Sequence, residues 1–305
     1  SRSRKPVFAI TTTPGYFVLQ RPATRCDAGY NKSSHPANAQ NNVENRCESA
    51  TANLVTTLHE TKPTHDRRLP LMSFKGTPHN QLDRDFFQRE LDAFLPDRIY
   101  DAHCHLWREA CVAWAIPGGP PDVGLTEYRT LIDQIHTGRP TNALFIPFSS
   151  SMEDEKLSTA NAWVGEHTAP DPANRGIFFI KPQDDPEWVR HQVRQLGLHG
   201  LKCYHTMSDV DPTWEADIQA YLPEALIKVA DEEGWVITLH MVKSRSVADP
   251  ANIACIKHYC QNYPNMTLIL AHSARGFQPS HNLEGLPHLV GLDNLYFDTS
   301  ANCEP

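Results

Sequence analysis

The chain has no apolar run approaching the roughly 18 residues that a membrane span needs, so a bilayer-crossing segment is not expected. Its eight cysteines (Cys26, Cys47, Cys104, Cys111, Cys203, Cys255, Cys260 and Cys303) contain no Cys-x-x-Cys pair, which argues against a thiol zinc ribbon and a small secreted disulfide framework. Several lie inside apolar strand-like or helix-like runs, where a reduced thiol acts as a small apolar residue and a reducing, cytoplasmic setting follows. Positive charge is not in excess: the net charge of −8 argues against a nucleic-acid surface. A secretory signal is not expected either, because residues 6–20 are interrupted by Pro14 and Gly15 and lack a small-residue cleavage pattern. Methionine is absent before Met72. Residues 1–71 are rich in Thr, Asn, Ser, Ala and Pro without a sustained apolar period, a composition unable to offset chain entropy. They are expected to be a disordered or non-native leader, with Met72 as the natural start.

What is present is organised and alternating. The 305 residues are 40% hydrophobic, enough for a real core. From Asn80, a stripe of Leu82, Phe86, Phe87, Leu91, Phe94 and Leu95 predicts a helix capped by Asn80 and stopped by Pro96, so residues 72–97 form an N-terminal helix packed on the rest. Strand-like runs follow at 98–103, 143–148, 176–181, 200–204, 235–240, 266–272 and 295–299. Helical patterns at 127–135, 153–164, 186–197, 222–233 and 252–262 separate them. Such alternation predicts a parallel sheet of the α/β class, with the rhythm of a (β/α)₈ TIM-type barrel over residues 98–305. Seven strands are visible, and an open seven-stranded barrel leaves two unpaired edges; the chain therefore reads as truncated after strand seven.

The chemistry sits at the strand ends. Residues 100–107 read YDAHCHLW, and in a strand His103 and His105 share one face while Cys104 turns to the other. His240 closes WVITLH and His272 closes MTLILAH. Histidines at the C-terminal ends of three apolar strands suit a metal site better than packing, because barrel enzymes build their sites on that face.

These residues resemble the amidohydrolase superfamily, in its amidohydrolase-related branch of metal-dependent hydrolases and decarboxylases. The resemblance runs from about residue 100 to 305 and rests on DAHCHLW, GLKCYH, His240, AHSARGF and LYFDTSANCEP. It implies that His103 and His105 bind the more buried metal and that His240 is a third ligand or a ligand to a second ion. It implies that His272 binds the second metal or orients water or substrate as a catalytic residue. Lys202 in GLKCYH resembles the setting of a carboxylated, metal-bridging lysine; the other reading is a structural or substrate-binding cation. The family places an aspartate at the end of strand eight as ligand and proton shuttle. Asp298 matches strand seven instead, so the chain is expected to lack its general base.

Nitrogen ligands of this kind suit zinc, with manganese, iron or cobalt as alternatives. Arg108, Lys181, Lys202, Lys243, Arg245 and Arg275 follow the strand ends, which suggests a carboxylated substrate. Arg275 is the candidate for a bidentate carboxylate grip, with a loop salt bridge as the alternative. Arg108 and His205 are further substrate-binding candidates, and Trp107 could wall the pocket or simply pack. The 109–124 loop, with its PGGPP, is a lid or a plain connector. The expected function is metal-dependent hydrolysis of an amide, ester or lactone of a small carboxylated molecule through a metal-activated water. Non-oxidative decarboxylation, sugar-acid isomerisation or a truncated non-catalytic barrel are the alternatives. The partner expected is that small molecule, with neither nucleic acid nor membrane; a homo-oligomer is compatible.

Overall fold

The structure, a computed structural model, describes residues 9–13, 16–20, 85–113, 120–136 and 138–300. Ten strands occur in chain order: β1 (Ala9–Thr13), β2 (Tyr16–Gln20), β3 (Ile99–Leu106), β4 (Thr141–Pro147), β5 (Arg175–Gly176), β6 (Phe178–Phe179), β7 (Gly200–Tyr204), β8 (Val236–His240), β9 (Thr267–Leu270) and β10 (Leu295–Phe297). Every pairing from β3 to β10 is parallel and follows chain order. β5 and β6 are one run that changes partner at Ile177, β5 pairing with β4 and β6 with β7. All seven expected strands are therefore present, as an α/β barrel of the TIM type that is not closed among the described residues. β10 pairs only with β9 there, and the outer edge of β3 carries β1 in parallel register, Ala9 opposite Tyr100. β1 and β2 form an antiparallel hairpin inside the segment read as a leader; the rest of residues 1–71 lies outside the described residues.

The helices that cover the barrel are α1 (Leu125–His136), α2 (Asp154–Thr168), α3 (Pro186–Gln195), α4 (Glu224–Glu233), α5 (Pro250–Asn262) and α6 (Pro279–Gly285). Local chemistry sets their ends. Asp185 and Asp249 accept backbone N–H groups at the starts of α3 and α5, each ahead of a proline at the first turn. Gly234, at φ 65°, ends α4 in the left-handed conformation.

Strand alternation divides the core in two. Leu201, Cys203, Ile237, Leu239, Leu268 and Leu270 face the helices in the main cluster, with Cys104 beside them. Leu144, Ile146, Ile177 and Ile269 fill the barrel interior with Tyr100 and Val236. Above this floor lie Lys202 and Thr238, opposite each other in register and both fully buried. The N-terminal helix departs from the expected stripe. Asp92 N–H bonds to Phe87 O across a widened turn, so Phe87, Leu91 and Leu95 pack with Ile99 while Phe86 and Phe94 stay exposed. Asn80 and Leu82 lie outside the described residues.

Candidate functional site

β3 delivers its two histidines from a bulged strand. The register with β4 shifts between Asp101 and Cys104, and Asp101 Oδ1 accepts the His103 N–H at 3.0 Å. Bulges re-aim side chains, and here both imidazoles turn into the barrel mouth. Their Nε2 atoms lie 3.1 Å apart. A second pair forms across neighbouring strands, with His272 Nε2 3.1 Å from His240 Nδ1. The His103 and His272 ring centroids are 5.3 Å apart, so the four histidines meet at the C-terminal ends of the strands. They meet as two pairs: among the described residues no three His, Cys, Asp or Glu side chains converge on one point as metal ligands do.

Asp298, set aside in the sequence, is the hub of this cluster. It is 1% exposed. Oδ2 accepts from His103 Nδ1 at 2.7 Å, and Oδ1 accepts from His272 N–H at 2.9 Å, Ser300 N–H at 3.1 Å and Ser300 Oγ at 2.6 Å. Burial opposes its ionisation, but the His103 ring and the Ser300 hydroxyl outweigh it and hold the carboxyl well below the usual range. His272 Nδ1 in turn lies 2.9 Å from the Ser300 carbonyl and 2.8 Å from its hydroxyl. An acceptor on each Nδ1 makes that nitrogen the N–H, so His103 and His272 both present a bare Nε2. The sequence signal was the Asp-x-Ser spacing in FDTS, directly after β10.

A metal can be tested against these residues. Two imidazole nitrogens sharing a tetrahedral zinc lie about 3.4 Å apart, close to both 3.1 Å pairs, and metal-binding histidines usually donate their other N–H to a carboxylate or carbonyl. Three of the four, His105, His240 and His272, are held neutral. Burial and then His103 push His272 down to about 4, while burial leads the strong lowering of His105 and His240. His105 Nδ1 is buried without a hydrogen-bond partner. Each pair offers two imidazole nitrogens at a spacing that a divalent cation accepts. Direct imidazole–imidazole hydrogen bonds also account for the pairs, with His105 and His240 as the donors.

Lys202 lies below the histidines, fully buried, its Nζ without a hydrogen-bond partner and 4.7 Å from the Tyr204 ring centroid. Burial lowers it to about 8. Of the other cations, Lys181 pairs with Asp154, Lys243 with Asp217, Arg245 with Glu284, and Arg108 lies 4.0 Å from Asp122 and over Trp163. Arg275 has no ion pair among the described residues; it reaches Met241 O and the Phe277 ring, which also stacks on His272. His205 bonds Thr213 and stacks 6.1 Å from His240. Trp107 is 9% exposed and belongs to the main core. Residues 114–119 of the loop lie outside the described residues. Cys104 is buried and its thiol is pushed well up by burial, as a structural cysteine requires. Two grooves among the described residues, of about 630 and 390 Å³, are lined by none of the four histidines.

His272 also opens an unusual backbone turn. His272, Ser273, Ala274 and Arg275 all have positive φ, between 51° and 60°. For non-glycine residues this costs about 1–2 kcal/mol each, so the surroundings must impose it.

No curated protein matches the chain. Among solved structures it is similar to a protein assigned as a 2-pyrone-4,6-dicarboxylic acid hydrolase from Pseudomonas putida (17% identity over 65% of this chain and 67% of that one, TM-score 0.44). It is similar to 4-oxalomesaconate hydratase from Rhodopseudomonas palustris (12%, 60% and 64%, 0.36) and to 2,6-dihydroxybenzoate decarboxylase (14%, 57% and 77%, 0.34). The chain thus spans about two thirds of the first two proteins. No helix among its described residues is long and apolar enough to cross a membrane. The amidohydrolase family profile matches residues 100–303, well over half of the chain and the segment carrying all four histidines, and the chain belongs to that family.

Proposed function

We propose that the protein is a metal-dependent hydrolase of a small carboxylated molecule, cleaving an amide, ester or lactone. The observation that carries this reading is the pair of histidines, His103 and His272, whose Nδ1 atoms are engaged by Asp298 and Ser300 and whose Nε2 atoms face a second imidazole. His103, His105 and His240 would hold a divalent ion, zinc first and manganese, iron or cobalt otherwise. When bound, such an ion supplies Lewis acidity toward a carbonyl and acidifies a water. The protein's own groups do the rest. His272, neutral at pH 7, offers Nε2 as an acceptor that orients water or substrate. Arg275, without a carboxylate partner among the described residues, grips the substrate carboxylate in bidentate fashion. Lys202 either carries a carboxylate from carbon dioxide and joins the ligands or serves as a buried cation facing the substrate. The five described cysteines are all buried and free, in keeping with a cytoplasmic setting.

Non-oxidative decarboxylation is the second reading. Both oxygens of Asp298 are taken by donors, and a decarboxylase needs no carboxylate to deprotonate water. One experiment separates the two. The purified protein, its metal content measured, is incubated in ¹⁸O-water with a panel of lactones, amides and aromatic carboxylates. Label entering a product carboxylate supports hydrolysis, and carbon dioxide release without label supports decarboxylation. Neither signal from a metal-loaded protein on the full panel would remove both readings.

A further inference from the structure

The left-handed turn at His272–Arg275 is held from outside, and its holder is Ser246. Inside the turn, Gly276 N–H bonds to His272 O at 2.8 Å. Asp298 O takes the Ser273 N–H, and Asn282 Nδ2 donates to Ser273 O at 2.9 Å. The next two carbonyls belong to one hydroxyl: Ser246 Oγ lies 2.8 Å from Ala274 O and 2.9 Å from Arg275 O, sharing its proton between them. Ser246 is 2% exposed and itself sits at φ 55°. Its own carbonyl accepts from Asn252 Nδ2 at 2.8 Å, and the same amide donates to Val242 O at 2.9 Å. Asn252, on α5, is 1% exposed. Gly285 of α6 presses on this loop so closely that a Cβ would lie 2.3 Å from Val247 O. The loop that follows β8 is therefore bolted on one side to α5 and on the other to the turn that follows β9.

β8 carries His240, and the turn carries His272 and Arg275. A single buried hydroxyl thus ties together the two strand ends whose histidines form the second pair. A structural role alone would be met by any residue that fills the space. What only a hydroxyl supplies is a donor to two carbonyls that the left-handed turn points away from every other backbone N–H described.

We propose that Ser246, locked by Asn252, is a positioning residue: it holds the left-handed turn so that His272 Nε2 meets His240 and the Arg275 guanidinium faces the barrel mouth. The inference rests on the proposed function only in taking His272 and Arg275 as site residues. Ser246→Gly is the variant of choice, because glycine accepts the positive φ at 246 and removes only the side chain. Ser246→Ala, which also lacks the hydroxyl, serves if the glycine variant does not fold. The full chain, labelled with ¹⁵N-histidine and free of metal, is compared with the wild type by imidazole NMR. The expected result is that the His272 and His240 nitrogen signals shift or broaden while that of His103 stays in place. Unchanged His272 and His240 signals in the folded variant overturn the proposal. A parallel titration with cobalt(II) should show about ten-fold weaker binding in the variant, as for loss of a supporting contact around metal ligands. If the wild type binds no cobalt, the metal reading fails, and the imidazole spectra still decide the role of Ser246.

Discussion

Asp298 Oδ2 accepts from His103 Nδ1 at 2.7 Å, joining the far ends of the seven-strand array through a buried contact. The same carboxylate receives His272 N–H, so one residue of β10's trailing segment orients a histidine of β3 and another in the turn after β9. This contact makes the cluster an organised site rather than a collection of strand-end imidazoles.

Asp298→Asn should test it. Every contact on the carboxylate is with a donor, so an amide NH₂ must face an N–H or O–H whichever way it is turned. The expected outcome is a loss of zinc affinity of about 10–100-fold, read by competition with a chromogenic chelator. Wild-type affinity in the variant would remove Asp298 from the site.

His103→Ala or His105→Ala should abolish both bound metal and activity, while His191→Ala, on an exposed face of α3, should change neither. Elemental analysis of the purified variants decides this. Full metal stoichiometry in either β3 variant would contradict the assignment.

Replacing Lys202 with methionine separates stability from function. Lys202 is fully buried without a hydrogen-bond partner, and burial lowers its pKa from 10.5 to about 8. Removing such a charge should raise the unfolding free energy at pH 7 by about 1–3 kcal/mol and cut turnover at least about 100-fold. Urea denaturation and a rate assay provide the two numbers, and a destabilised, fully active variant would refute the expectation.

Acid should destabilise the metal-free protein well before its carboxylates titrate. Burial lowers His136 and His272 to about 4, and lowers His105 and His240 strongly. Below pH 6.5 the unfolded chain takes up protons that these folded histidines refuse, so stability falls as pH drops from about 6.5 towards 4. Each histidine contributes up to about 1.4 kcal/mol per pH unit across that window. Unfolding free energies measured at several pH values should show this slope, and it should shrink in His136→Gln; a flat profile over the same range would count against it.

The sequence by itself determined the strand and helix order, because apolar period and capping chemistry are local. Asp185-Pro186 and Gly234 mark helix ends wherever the chain goes. It also singled out His103, His105, His240 and His272, since alternation puts a strand-end residue on a definite face. Only the tertiary structure decided what those histidines touch. Asp298 and His103 are separated by 195 positions, and no local pattern links them. The same holds for the cations: six follow strand ends in the sequence, yet four meet carboxylates supplied by other elements, leaving Lys202 and Arg275 without an ion pair among the described residues. The left-handed turn was invisible for the same reason. Nothing in His-Ser-Ala-Arg favours positive φ, and its cost is met by Ser246, Asn282 and Asp298, which only the folded chain brings to it.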